Sequence, residues 1–147
     1  MEFYNNEEVC FQQIKRTAKM MIGQEDIDNI KRIDIPDFDD EESEIIKELH
    51  KKLLKRSMNK NDSNEVGMLV NLQDWTNIMI NGTENGVTLK KDKAASNLIC
   101  TAPKNSLLFF HNHPKNSCFS EKDLESFMIS DAIKMMSVVC NNGRLYY

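Results

Sequence analysis

The stretch Leu107-Leu108-Phe109-Phe110-His111-Asn112-His113-Pro114 decides how this chain is read. A continuous apolar run without polar alternation is the pattern of a strand buried on both faces. Strand side chains two apart project from one face, so His111 and His113 converge, as two ligands of one metal ion would. The chain has 3 histidines in all. Two of them in a single H-x-H make chance a poor explanation.

Downstream, Ser120 opens a helix expected to run to about residue 133, with Leu124, Phe127, Met128 and Ala132 turned inward. Strands are expected at 136–140 and 144–147, joined by Asn141-Asn142-Gly143. Upstream, residues 91–102 form a helix stopped by Pro103. Strands are expected at 66–72 and 75–80, and the two Asn-Gly pairs between Asn81 and Gly86 mark a hairpin that lets Val87-Thr88-Leu89 continue the sheet. Helices and strands interleave, so the fold class is α/β with a mixed central sheet flanked by helices.

The first part of the chain is helical. Apolar residues recur at helical spacing over residues 7–22, and Ile27, Ile30 and Ile33 suit a short helix before an extended Ile33-Asp34-Ile35-Pro36. The clearest helix runs over 40–58, with Ile46, Leu49, Leu53 and Leu54 on its apolar side. Acidic residues crowd its start and basic residues its end, the order the helix dipole favours. His50 falls among lysines and is expected to be solvated. Residues 59–64 have turn composition, which divides the chain into an N-terminal helical segment, 1–58, and a strand-rich domain, 59–147.

At 147 residues the chain can bury one core. A net charge of -4 offers no electrostatic footprint for nucleic acid, so DNA binding is disfavoured. There is no signal-like N-terminus and no membrane-length apolar run, which points to a cytoplasmic protein. Cys10, Cys100, Cys118 and Cys140 make no C-x-x-C and are expected to be reduced; Cys118, in the loop before Ser120, is expected to be a bystander.

A hydrolytic zinc site uses three protein ligands and leaves a fourth position for water, whose pKa falls to about 7. His111 and His113 supply two, and Asp123 is the nearest candidate for the third, with Ser120 beside it. The same Ser120-Glu121-Lys122-Asp123 is also an S-x-x-D capping box, a commoner device than a metal site. The two roles are compatible, since Ser120 can cap the helix and still lie at the edge of the site.

H-N-H-P followed by S-x-x-D resembles the signature of the JAMM or MPN+ (JAB) zinc metalloprotease superfamily, and H-N-H-P is similar to its RadC-like branch. Residues 65–147 follow the RadC-like order: an acidic residue before a strand, a Gly-rich turn, an alanine-containing helix, then the apolar strand. The resemblance implies a JAMM-like layering akin to that of cytidine deaminases. It also implies that His111, His113 and Asp123 bind Zn2+, that Ser120 hydrogen-bonds near the water or the developing oxyanion, and that Glu65 is the general base. The implied activity is hydrolysis of peptide or isopeptide bonds in a protein or peptide substrate.

Two departures accompany it: the loop from Pro114 to Phe119 is one residue shorter than the superfamily usually has, and Tyr147 falls where related domains continue, so the sheet closes early or the chain is a fragment. The alternative is a RadC-like non-catalytic module that binds DNA or a protein partner. A metal-free scaffold role is a third reading, disfavoured because the ligand residues are present. Residues 1–58 match no recognised pattern and are expected to be a helical layer or a partner-binding extension.

Overall fold

The computed structural model describes residues 18–128 and 130–147. Among these residues two helices come first: α1, Gln24–Asp28, and α2, Asp40–Lys60. A hairpin of β1, Val66–Asn71, and β2, Asn77–Asn81, follows, then a short 3-10 turn at Leu89–Lys91 and helix α3, Lys93–Thr101. Strand β3 is Leu107–His113, α4 is Glu121–Met128, β4 is Ile133–Cys140 and β5 is Leu145–Tyr146. The five strands form one mixed sheet in the order β2-β1-β3-β4-β5, with β3 parallel to β4 and every other neighbour antiparallel.

Every residue of β3 is buried, as the apolar run requires. Leu108 and Phe110 face one core, shared with Ile46, Leu53 and Leu54 of α2. Leu107 and Phe109 face a second core, with Ala95 of α3 and with Ala132 and Met136. The sheet therefore lies between α2 on one side and α3 with α4 on the other. The expected apolar stripe of α2 thus packs on the sheet, in one core with β1 and β3.

Helix α2 starts where its chemistry dictates. Asp39 accepts from the Glu42 amide at 2.8 Å while Glu42 accepts from the Asp39 amide at 2.9 Å, a reciprocal cap. Its buried stripe is wider than expected, because His50 belongs to it. His50 is fully buried, with Nε2 2.7 Å from Ser137 Oγ and its ring 4.4 Å from that of Phe110. Four residues after Ile46 and four before Leu54, it shares their face despite its lysine neighbours.

Three other expectations are corrected. Most of the helix expected at 7–22 lies outside the described residues, and over 18–23 the chain is not helical. Val87-Thr88-Leu89 does not extend the sheet. After a single Thr83–Gly86 bridge the chain folds back, and Val87 lies over Gly67, where a Cβ would come within 3.2 Å of its side chain. Helix α4 ends at Met128, leaving Leu124 and Met128 exposed. Ala132 is buried but not helical, because its carbonyl is claimed by the amides of Ser106 and Leu107.

Burial without a compensating charge pushes the His50 pKa down to about 3. The unfolded chain, with a histidine pKa of about 6.5, then takes up a proton that the folded chain refuses. His50 should therefore cost no stability above pH 6.5 and erode it as pH falls toward 3, by about 1.4 kcal/mol per pH unit and roughly 5 kcal/mol in total. Urea midpoints at pH 7, 5 and 4 should show this slope, and His50→Leu should flatten it; an equal slope in both proteins would exclude His50 as its source.

Candidate metal centre

Alternation along β3 sets His111 and His113 on the same face as Phe109, at the strand's C-terminal end. Their Nε2 atoms are 3.1 Å apart. The loop after Pro114 then returns the chain so that Asp123, in the first turn of α4, meets both rings: Oδ1 is 3.1 Å from His111 Nε2 and Oδ2 3.2 Å from His113 Nε2. The short loop does not keep Asp123 away.

Ser120 and Asp123 also form the expected cap. The Ser120 amide donates to Asp123 Oδ2 at 2.7 Å and the Asp123 amide to Ser120 Oγ at 3.2 Å. The capping bonds and the contacts with both imidazoles are thus made by the same carboxylate. The cap fixes the carboxylate that faces the imidazoles.

The His113 tautomer follows from its neighbour. Nδ1 lies 3.0 Å from the carbonyl oxygen of Ser117, which can only accept, so Nδ1 carries a proton and the neutral ring would turn its Nε2 lone pair to a bound metal ion. Sequence reading missed Ser117, because a loop of six residues says nothing of which carbonyl turns inward. His111 Nδ1 is buried without a hydrogen-bond partner among the described residues.

These donors face each other around a common point and call for a positive charge there. Burial works to raise the Asp123 pKa, but hydrogen bonds from both histidines overcome it and hold the carboxyl well below the usual range. Burial lowers His111. At His113 the opposing pull of Asp123 and of Glu65 outweighs burial and raises it. A tetrahedral ion with ligand bonds of roughly 2.0–2.1 Å separates its donor atoms by about 3.3 Å. The two Nε2 atoms, 3.1 Å apart, are close to that edge, and a carboxylate oxygen faces each of them, so the trio could hold a metal ion.

Glu65 stands just before β1, near the end of β3, because the two strands are antiparallel. It is 8% exposed. Burial pushes its pKa up to about 7, against the attraction of His113 and with the repulsion of Asp123. Glu65, His113 and Ser120 line one small pocket of about 190 Å³. Glu65, Ser120 and Asp123 also border a cleft of about 840 Å³, floored by apolar groups including Val87, Ile99 and Phe109. Four of the five residues singled out in the sequence thus line these two adjoining openings, and His111, fully buried, meets Asp123 from behind them.

Cys118 is disulfide-bonded, unlike Cys100 and Cys140, and so departs from the expected reduced state and offers no thiolate to a metal. No helix among the described residues is long and apolar enough to cross a membrane. Comparison with family models, with curated proteins and with solved structures gave no match to this chain.

A ligand that binds only the folded state at about 100 times its dissociation constant stabilises it by about 2.7 kcal/mol. For a chain of this size that is a rise in Tm of roughly 5–10 °C. Thermal melts with added divalent transition metal should show such a rise in the wild type and none in Asp123→Ala. An equal rise in both would place the metal elsewhere.

Proposed function

We propose that the chain is a zinc-dependent hydrolase of peptide or isopeptide bonds, with a JAMM-like, RadC-like arrangement of its sheet and site. The observation that carries this reading is a buried glutamate, Glu65, sharing a pocket with His113 of a two-histidine, one-carboxylate cluster. Burying a carboxylate costs free energy, and one with a raised pKa in a pocket beside a histidine cluster is a candidate for a functional site.

His111, His113 and Asp123 would hold the metal, and a zinc ion bound there supplies Lewis-acid polarisation of an amide carbonyl and acidification of water to near neutrality. The chain's own residues do the rest. Glu65, with a pKa of about 7, is poised to accept a proton from water and return it to the amine that leaves. One amide bond and one water thus become a carboxylate and an amine, with Glu65 restored.

Ser120 Oγ accepts from the Asp123 amide and so keeps its own O–H free to donate to a developing oxyanion. The apolar cleft receives the flanking chain of the substrate and excludes water.

Purified without chelator, the protein should carry about one zinc per chain, and His113→Ala should carry none. Glu65→Gln should keep its zinc while hydrolysis of a peptide library falls by a factor on the order of 10²–10⁴. Zinc-free wild-type protein, or undiminished hydrolysis in Glu65→Gln, would refute the assignment.

A further inference from the structure

Between the two histidines, on the opposite face of β3, sits Asn112, fully buried. The β1–β3 ladder runs from Asn71–Leu107 to Gly67–His111, and one more step would set Val66 against Asn112. Instead the Val66 amide donates to Asn112 Oδ1 at 2.7 Å, so a side-chain oxygen ends the ladder. Because that contact requires an acceptor, Nδ2 must face the other way. There it meets Ser57 Oγ at 3.2 Å, Asn64 O at 3.2 Å and Asn141 Oδ1 at 2.8 Å, all acceptors.

Asn141, fully buried at the end of β4, carries the network on. Its Nδ2 donates to Ser63 O at 2.8 Å and to Met20 O at 2.7 Å. Ser63 is held at a φ of 57°, and its Oγ accepts from the Ile22 amide at 3.0 Å. The Met20 amide in turn donates to the carbonyl of Pro114, the residue after the second histidine, at 2.8 Å. The backbone on both sides of Glu65 is therefore tied to two amides, one of which lies between the histidines.

We propose that Asn112 and Asn141 are positioning residues that lock the 63–66 turn onto the back of the histidine strand and so set where Glu65 stands relative to His111 and His113. The proposal rests on the reading of Glu65 as general base, but the lock is a property of the fold that can be measured without turnover. Polar groups used only to fill the core would not need to converge on the two residues before Glu65 and the one after it. A lock must satisfy them together, and this one does.

The test uses the full chain with one equivalent of zinc, as wild type, Asn112→Ala and, as a packing control in the core shared by α2 and the sheet, Ile46→Ala. Hydrogen exchange is followed at the Asn64 and Glu65 amides, which bond to Asn61 O and Thr83 O and not to Asn112. In Asn112→Ala both should exchange faster by a factor on the order of 100, with zinc content and the amides of His111 to His113 unchanged. The kcat for peptide hydrolysis should fall by a factor on the order of 100 at constant KM. Ile46→Ala should change neither the two amides nor kcat by more than about threefold, measured well below its Tm.

Unchanged exchange at Asn64 and Glu65 in Asn112→Ala overturns the proposal whatever the turnover, and so does loss of zinc, which would make Asn112 a support of the ligands. Faster exchange in a protein whose wild type cleaves no amide leaves the lock standing and removes the hydrolase reading instead. If Asn112→Ala does not fold, Asn112→Ser, whose shorter side chain reaches neither the Val66 amide nor Asn141, and Asn141→Ser take its place, with faster exchange at Asn64 and Glu65 expected in both and unchanged exchange overturning the proposal.

Discussion

A strand buried on both faces that ends in three polar side chains must find a partner for each. Leaving one buried donor or acceptor unpaired costs about 1–3 kcal/mol, and an uncompensated charge costs more. In β3 the two imidazoles on one face meet Asp123, and the amide on the other meets Val66, Ser57, Asn64 and Asn141. Much of the surrounding chain answers this demand. The loop after Pro114 turns its Ser117 carbonyl toward His113, and α4 begins where its first-turn carboxylate reaches both rings.

The same constraint explains why one short motif does two jobs. A capping box fixes the first turn of a helix by reciprocal side-chain to amide bonds. Here it also aims the Asp123 carboxylate, whose Oδ2 receives the Ser120 amide on one side and faces His113 on the other. Removing Ser120 would therefore loosen both the helix start and the orientation of the carboxylate. Glu65 gains from the antiparallel pairing of β1 with β3, which brings the beginning of one strand to the end of the other without a long loop.

Local patterns were the legible ones. The apolar run of β3, the H-x-H on one face, the charge gradient of α2 and the S-x-x-D spacing depend on residues near one another in the chain, and each corresponds to an element or contact in the fold. The residues that escaped depend on what packs against them. His50 is buried because the sheet covers a broader face of α2 than its lysines suggest. The path of Val87 is set by Gly67 and Gly82, where a side chain would collide with Val87 or with the Gly86 carbonyl. Asn112 stands between the two histidines, and nothing in the sequence gives the four groups that its amide serves.

Glu65 shows how the two halves of the chain meet at one site. Its own strand supplies the backbone, but its surroundings come from elsewhere: the backbone of Val87, the charges of His113 and Asp123, and Lys122. The turn that delivers it is closed from below by Ser57 of α2, whose hydroxyl donates to Asn64 O at 2.6 Å, and from the side by Met20 and Ile22, through Asn141 and Ser63. A carboxylate raised to about 7 by burial costs the fold stability as pH rises above the usual carboxyl range. The contacts that tie the turn on both sides of it fix where its carboxylate stands, the kind of support that precise placement of a side chain requires.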